Sequence, residues 1–451
     1  MARAGTRVLR ELAGLLKIDW RSVVWSWWPR SKKEQGDAIV VNFLLHWFPN
    51  RVSHRSLSWS YSLWLGTISA ILFLILTVTG VILMFFYVPS TERAYASIKD
   101  LEYVIPYGSY LRNLHRISAH LMVGVVFLHM MRVFLTAAYR NGVFARQNRP
   151  LNWLIGIALL LLTLLLSFTG YLLPWDQLAF WAITVGTEIA RNAPLVGEQI
   201  RFILLGGNEI SQNTLIRFYT LHVFFLPALV LLLFSWHMWR IRKDGGLACE
   251  DHLALEERKK EVKPAKRKNY MIMGLVKGET PMVKQVMVDT EEQTVHAVPI
   301  LVRRVLLVGL ATLAVAMVLT QLIPAPLEDP ANPSVTPNPA KAPWYFLWLQ
   351  ELVTITTIKF GTGFAISGGL VGGILIPGLL LLWAAVWPWL DRSPVEAVGV
   401  WFHRSRRWQN LTFIIISLLI MVLILVASYL RGPFWEWYWP WQTWEAPPVK
   451  Y

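Results

Sequence analysis

Seven stretches of the chain are almost wholly apolar: residues 61–87, 113–139, 151–173, 216–239, 303–323, 364–390 and 410–430. A helix needs about 20 such residues to cross a hydrocarbon core about 30 Å thick, and each stretch reaches that length. The polar intervals divide them. Residues 1–60 are basic and Trp-rich and read as an interfacial arm. Residues 61–239 form a four-helix unit and residues 240–300 a charged connector with LEERKKEVKPAKRK at its core. Residues 301–431 form a three-helix unit, and residues 432–451 a Trp-rich tail. The segment PAPLEDPANPSVTPNPAKAPWYF holds too many prolines for continuous helix. The pattern predicts an all-α integral membrane fold with no internal repeat.

Composition agrees. Of 451 residues, 55% are hydrophobic and 16% charged, against about a quarter charged in soluble domains. A net charge of +15 would suggest nucleic acid in a soluble protein. Here it follows the positive-inside rule, and no nucleic-acid partner is expected. The N-terminal arm carries Arg3, Arg7, Arg10, Lys17, Arg21, Arg30, Lys32 and Lys33; later loops on the same side carry Arg140, Arg146, Arg149, Arg392, Arg404, Arg406 and Arg407. The opposite loops are mixed or acidic. With seven spans the N-terminus is expected in the cytoplasm and the C-terminus outside, in a bacterial inner membrane. The first 38 residues hold Arg and Lys throughout, so no cleavable signal peptide is expected. Many of the 24 Trp, such as Trp20, Trp25, Trp27, Trp28 and those of FWEWYWPWQTW, cluster at helix ends, where such rings favour the headgroup zone. The single cysteine, Cys249, excludes an intrachain disulfide, a CxxC metal site and a CxxCH haem attachment. It reads as an ordinary connector residue.

Four of the ten histidines lie inside two apolar helices: His115 and His129 in the second, His222 and His237 in the fourth. Fourteen residues fall about 40° short of four helical turns and rise about 21 Å; fifteen overshoot by about 60°. Each pair therefore lies broadly on one face at two depths. Both helices run the same way, so His115 is level with His222 near the outer face, and His129 with His237 near the inner face. One buried histidine commonly just hydrogen-bonds a neighbour. Four at matched depths point to function, because such groups are rare within a bilayer. Two imidazoles per site with no Cys or carboxylate nearby suit axial haem ligation best. His120, about 140° around the helix from His115, reads as structural.

Glycines add independent support. Gly66 and Gly80 in the first helix, and Gly156 and Gly170 in the third, are each 14 residues apart. Glycine inside a helix costs about 1 kcal/mol against alanine. Close helix packing is one reason to keep it; recurrence at the histidine spacing favours room for a porphyrin face against the backbone. Arg112, Arg116 and Arg132 sit near the expected haem edges and suit carboxylate propionates, with plain interface anchoring an equal alternative.

Together these residues resemble cytochrome b of the cytochrome bc complexes, the Rieske-partnered quinol oxidases, over about residues 40–430. RNLHRISAHLMVGVVFLHMMRVFLTAAY resembles the family's second helix, GYLLPWDQLAFW its motif after helix three, and RFYTLHVFFLPALVLLLFSWHMWRIRK helix four. The His222–His237 gap is similar to the plastid-type b6 form. EDPANPSVTP and the later PWYF resemble the start of plastid-type subunit IV, here joined to the b6-like part by the connector. The resemblance implies a four-helix dihaem bundle followed by three further transmembrane helices, with two non-covalent haems b. Quinol is oxidised outside, near the helix after LPWDQ and the PWYF segment. One electron goes to a Rieske iron–sulfur protein and on to a cytochrome c. The other crosses from the outer haem to the inner haem and reduces quinone inside, with proton translocation. The implied partners are those two subunits, quinone and lipid, in a homodimeric complex. Trp344 and Tyr345 fall at the outer quinol site, with Trp181 shaping it. Arg242, Lys243 and Asp244 fall at the inner quinone site, where positive-inside anchoring is an equal alternative.

Two departures stand out. The family reads Pro-Glu-Trp-Tyr where this chain reads Ala342-Pro343-Trp344-Tyr345, so the glutamate credited with accepting a quinol proton is Pro343. Glu351 or a water chain is expected to take over. The plastid form also hangs a covalent haem on a helix-one cysteine, and the matching position is Trp64, so no covalent haem is expected. A dihaem membrane anchor of a dehydrogenase or reductase would explain the histidines, but not the paired glycines, PWDQ or the three extra helices. A transporter would need polar groups along a pathway or interrupted helices, whereas the ionisable groups here concentrate at two depths.

Overall fold

The computed structural model describes residues 51–143, 147–244, 246–247, 249–250, 294–360 and 364–443. The N-terminal arm to residue 50, the core of the connector and the end of the Trp-rich tail lie outside the described residues. In chain order the main helices are α1 (Leu65–Met84), α2 (Ala94–Tyr103), α3 (Gly108–Leu135), α4 (Arg149–Tyr171), α5 (Gln177–Arg191), α6 (Gly197–Leu205), α7 (Gln212–Lys243), α8 (Ala297–Leu322), α9 (Trp344–Thr356), α10 (Gly368–Leu390) and α11 (Arg404–Leu430). Seven of these, α1, α3, α4, α7, α8, α10 and α11, are long and apolar enough to cross a membrane. They fall on the seven runs predicted from hydropathy. Their outward rows, such as Leu74, Leu232, Leu310 and Leu418, are exposed, as suits a chain solvated by lipid.

Local chemistry sets several helix starts. Asn148 accepts a hydrogen bond from Leu151 N at the start of α4, with proline in the first turn. Asp176 caps α5 by accepting from Ala179 N at 2.8 Å. Ser211 and Thr214 form a reciprocal capping box at α7. Both α7 and α10 contain one π turn, Leu221–Phe225 and Val371–Leu375, each just before a proline in the next turn. Proline has no N–H and crowds the carbonyl four residues back. A locally wider turn accommodates it.

α1 packs on α3, α3 on α4, and α4 on α7, which makes the four-helix bundle. α8 lies against α1 and α3, α10 against α4, and α9 against α11. A short antiparallel ribbon of β1 (Arg51–Ser53) and β2 (Thr294–His296) ties the start of the bundle to the start of α8. Val52, Leu57, Trp64, Ala297 and Leu301 are buried together around it. Trp64 thus fills apolar core, at the position that the resemblance matches to the plastid form's haem-bearing cysteine. Cys249 is buried. A second ribbon, β3 (Ile358–Phe360) with β4 (Phe364–Ile366), precedes α10.

Beyond His129 another buried cluster joins the bundle to α10 and α11. Phe134 stacks on Phe413 at 4.3 Å, and Tyr139 and Trp153 pack beside them. One positive-loop charge departs from expectation here. Arg406 is completely buried, 3.3 Å from the Asp391 carboxylate, and it donates to Tyr139 Oη at 2.7 Å. It is an interior ion-pair residue of the positive loop.

Candidate functional site

Four glycines meet four histidines, one to one. Gly80 of α1 abuts His115 of α3, and Gly170 of α4 abuts His222 of α7. Fourteen or fifteen residues away, Gly66 abuts His129 and Gly156 abuts His237. A Cβ added at Gly80 would stand 3.1 Å from His115 Cε1, at Gly170 2.5 Å from His222 Cε1, and at Gly66 3.2 Å from His129 Cε1. At Gly156 it would stand 3.8 Å from His237 Cε1, an ordinary contact. In this structure the space left by each missing side chain admits an imidazole edge.

The His115 and His222 ring centroids are 6.2 Å apart with planes at 77°. Two imidazole nitrogens each bonded at about 2 Å to one metal put their centroids about 6 Å apart, so the gap fits a metal between the rings. The ring tautomers are fixed as well. Thr79 Oγ1 lies 2.8 Å from His115 Nδ1 and Thr169 Oγ1 lies 3.2 Å from His222 Nδ1. Each hydroxyl already gives its hydrogen to a carbonyl one turn back, Ile75 O at 2.7 Å and Leu165 O at 2.9 Å. Each oxygen therefore accepts, and each Nδ1 carries the N–H. Leu166 O, 3.1 Å from His222 Nδ1, can only accept and requires the same tautomer. Both Nε2 lone pairs remain free for a metal.

Neither threonine is singled out by the sequence reading. The signal is a Thr-Gly pair repeated on the two flanking helices, Thr79-Gly80 and Thr169-Gly170. At the other level Leu65 and Ile155 precede the glycines. There His129 Nδ1 is buried with no hydrogen-bond partner among the described residues, and the His237 ring meets the Asn152 backbone carbonyl.

The 15-residue gap on α7 also has a cause. His222 lies within the π turn Leu221–Phe225, where Leu226 N bonds back to Leu221 O, five residues earlier. A π turn takes up one extra residue relative to an α-helix. The pair is thereby returned to the 14-residue register of His115 and His129, and the expected 60° overshoot is absorbed. Among the described residues no three His, Cys, Asp or Glu side chains gather to hold an ion. Two imidazoles per level suit a metal whose remaining positions are filled by its own macrocycle.

The three arginines divide. Arg112 is ion-paired with Glu102 and donates to Pro326 O at 2.7 Å, so it braces the loop after α8. Arg116 makes no hydrogen bond or ion pair among the described residues. Arg132 is buried with an unpaired Nε and lies 4.7 Å over the Tyr61 ring. A guanidinium thus follows each α3 histidine, Arg116 without a hydrogen bond or ion pair among the described residues and Arg132 against Tyr61.

Two loop motifs meet near the His115 level. Gln177 N donates to Asp329 O at 2.9 Å, and Ala331 N donates to Trp175 O at 3.1 Å, so LPWDQ pairs with DPAN. Trp181 Nε1 donates to Val335 O at 2.9 Å, holding the Pro-rich segment. Burial pushes the Asp176 carboxyl up, despite the backbone N–H groups that it accepts. Pro343 opens α9. Trp344 Nε1 donates to His120 Nδ1 at 3.0 Å, and the buried Tyr345 ring lies 5.5 Å from the His120 ring. Burial pushes the Tyr345 phenol up to about 12, so it stays neutral. His120, read from sequence as structural, is the α3 residue that faces the PWYF segment. Glu351 is turned elsewhere. Its carboxylate, 1% exposed, accepts from Arg431 Nη2 at 2.5 Å and Nε at 3.0 Å, and from Trp435 Nε1 at 3.1 Å.

At the far end of α7, Lys243 Nζ lies 4.6 Å over the Trp239 ring. Asp244 is buried and accepts from Arg240 Nη2 at 2.6 Å and Asn148 N at 2.8 Å. It locks α7 to the start of α4. Arg242, on the same helix end, is partly buried. The sequence reading passes over Arg240.

Comparison with known proteins places this geometry in a family. Residues 51–245 match the family model described as Cytochrome b/b6/petB, and residues 330–440 match Cytochrome b(C-terminal)/b6/petD. The chain is 30% identical over 392 residues to a protein of Chlorobaculum thiosulfatiphilum named "Cytochrome bc complex cytochrome b subunit", covering 86% of this chain and 77% of that one. The chain belongs to the cytochrome b/b6 family. It is also 39% identical over 181 residues to cytochrome b6 of Heliomicrobium gestii, covering 40% of this chain and 82% of the relative. A chain of a solved structure titled "Hyperthermophilic respiratory Complex III" shares the fold at TM-score 0.63 and 24% identity, covering 84% of this chain and 86% of that one. The cytochrome b/b6 match holds all four paired histidines and glycines, the C-terminal match holds Trp344, Tyr345, Glu351 and Arg431, and α8 lies between the two.

Proposed function

We propose that this cytochrome b/b6 family member is the dihaem subunit of a quinol:cytochrome c oxidoreductase. It takes electrons from quinol at the outer face and delivers part of them to quinone at the inner face, with proton translocation. The observation that carries the reading is the one-to-one seating of four imidazoles on four glycines at two levels about 21 Å apart. When bound, one haem b between His115 and His222 and one between His129 and His237 would supply one-electron transfer between the levels.

The chain's own residues have separate tasks. Thr79 and Thr169 hold the first pair's Nε2 atoms bare toward the metal. Arg116 is the guanidinium free to meet a haem carboxylate, Arg132 would meet one from beside Tyr61, and Arg112 serves as a brace. Trp344 and Tyr345, presented by α9 against α3, line the outer quinol site. Arg242 and Lys243 form a cationic edge for quinone at the inner face, with Asp244 and Arg240 fixing that helix end. On the positive-inside rule the His129 level would face the cytoplasm, across a bacterial inner membrane. A Rieske iron–sulfur protein and a cytochrome c subunit complete the homodimeric complex. The five units read from sequence are retained: arm, dihaem bundle, connector, subunit IV-like part and tail.

The test is quinol-dependent reduction of cytochrome c by the purified complex that holds this chain. Activity with b-type absorption is expected. A complex with b-type haem that oxidises no quinol would overturn the assignment.

A further inference from the structure

We propose that His120 takes the quinol proton in this chain, at the site where the family motif supplies a carboxylate. This rests on the functional reading above and names a residue within it. The obvious alternatives are occupied or inert. Pro343 cannot ionise. The Glu351 carboxylate is filled by Arg431 and Trp435. Tyr345 remains a neutral phenol.

His120 projects from α3 onto the first turn of α9. The Trp344 indole N–H can only donate, so the His120 Nδ1 that it meets at 3.0 Å carries the lone pair and Nε2 carries the hydrogen. Trp344 is 39% exposed, whereas Tyr345 behind it is 6% exposed. The indole is therefore the outer group, over a base held from beneath. Gly124, one turn along α3, leaves room beside it: a Cβ there would be 4.0 Å from Trp344 Cη2. The ionisable groups facing His120 are Arg116, one turn back on α3, and Tyr345 on α9.

A quinol hydroxyl that displaces the indole N–H meets this lone pair. The quinol O–H bond breaks, an N–H bond forms at Nδ1, and the electron pair of the broken bond stays on the quinol oxygen. The imidazolium then passes one proton to water and returns to the neutral Nε2–H tautomer, and the second quinol hydroxyl gives its proton to water as the electrons leave. The two electrons leave singly to the one-electron acceptors of the proposed reaction, an iron–sulfur centre and a haem.

The test uses the purified complex with His120→Gln, whose amide can accept the indole hydrogen bond but not a proton, and His120→Asp, which can take one. Both should keep both b-type haems and bind a hydroxynaphthoquinone, a quinol analogue, within a few-fold of wild type. His120→Gln should slow quinol oxidation by about 10²–10⁴-fold, the usual worth of a general base, and lose the acidic limb of its pH profile. His120→Asp should recover much of the rate, and so should Pro343→Glu added to His120→Gln. Wild-type turnover and pH profile in His120→Gln would overturn the proposal. If His120→Gln fails to assemble, the wild-type protein decides. Adding the analogue to oxidised protein with isotope-labelled histidine should shift an imidazole infrared band, and no shift would overturn the proposal. Absence of b-type haem or of quinol oxidation in wild type would instead overturn the functional reading itself.

Discussion

Gly156 and Gly170 occupy corresponding places on α4, yet a methyl group would meet different surroundings at each. At Gly170 it would press to 2.5 Å from a His222 ring that Thr169 and Leu166 hold in place. At Gly156 it would find ordinary contact at 3.8 Å. Gly170→Ala is expected to weaken haem retention at the His115–His222 level by about 10–100-fold, the range seen when metal-ligand orientation is disturbed. Gly156→Ala should purify with near wild-type haem. Haem content and the reduced spectrum check both, and equal behaviour of the two variants would refute the seating argument. The histidines and glycines were legible because recurrence at 14 residues is a one-dimensional signal. Thr79 and Thr169 were not. A helical threonine commonly bonds its own i−4 carbonyl, as both do, and only the folded structure reveals the second lone pair turned to a histidine. His120 escaped because its partner lies 224 residues away.

At the scale of elements, an ideal helical wheel misplaces His237 relative to His222. The π turn before Pro227 repairs that register, and periodicity alone cannot foresee a local change of pitch. The clamp between the turn after α3 and the facing ends of α10 and α11 was equally hidden, since Tyr139 lies 252 residues from Asp391 and 267 from Arg406. Tyr139 Oη donates to Asp391 Oδ2 at 2.5 Å. Burial pushes the Asp391 carboxyl up, but hydrogen bonds from Ser393 and Tyr139 and the Arg406 charge outweigh it, and the group ends below its ordinary value. A depressed carboxylate contributes stability that is fully present above its unfolded value, about 3.9, and lost as pH falls through the folded one. Asp391→Asn should therefore cost about 3–5 kcal/mol at neutral pH, by leaving Arg406 buried and unpaired. The gap to wild type should narrow only at strongly acidic pH. Thermal unfolding of both proteins across pH checks this, and a gap that closes already near pH 6 would contradict it.

At the scale of the molecule, the two family segments meet at the His115 level, where the proposed outer site needs residues from both. α3 brings His120 and Arg116, α9 brings Trp344 and Tyr345, and the LPWDQ–DPAN pairing fixes one segment on the other. The seven spans were legible because lipid demands uninterrupted apolar length. The short helices α2, α5, α6 and α9 carry no such demand, and contacts between the two segments leave no periodic trace. The central claim is that four named histidines hold two haems in two separate pairs. Its most direct test is haem content per chain in purified complexes of wild type, His222→Leu and His129→Leu. Two b-type haems in wild type and one in each variant are predicted, with different spectral components lost. Retention of both haems in either variant, or loss of the same component in both, would contradict the pairing.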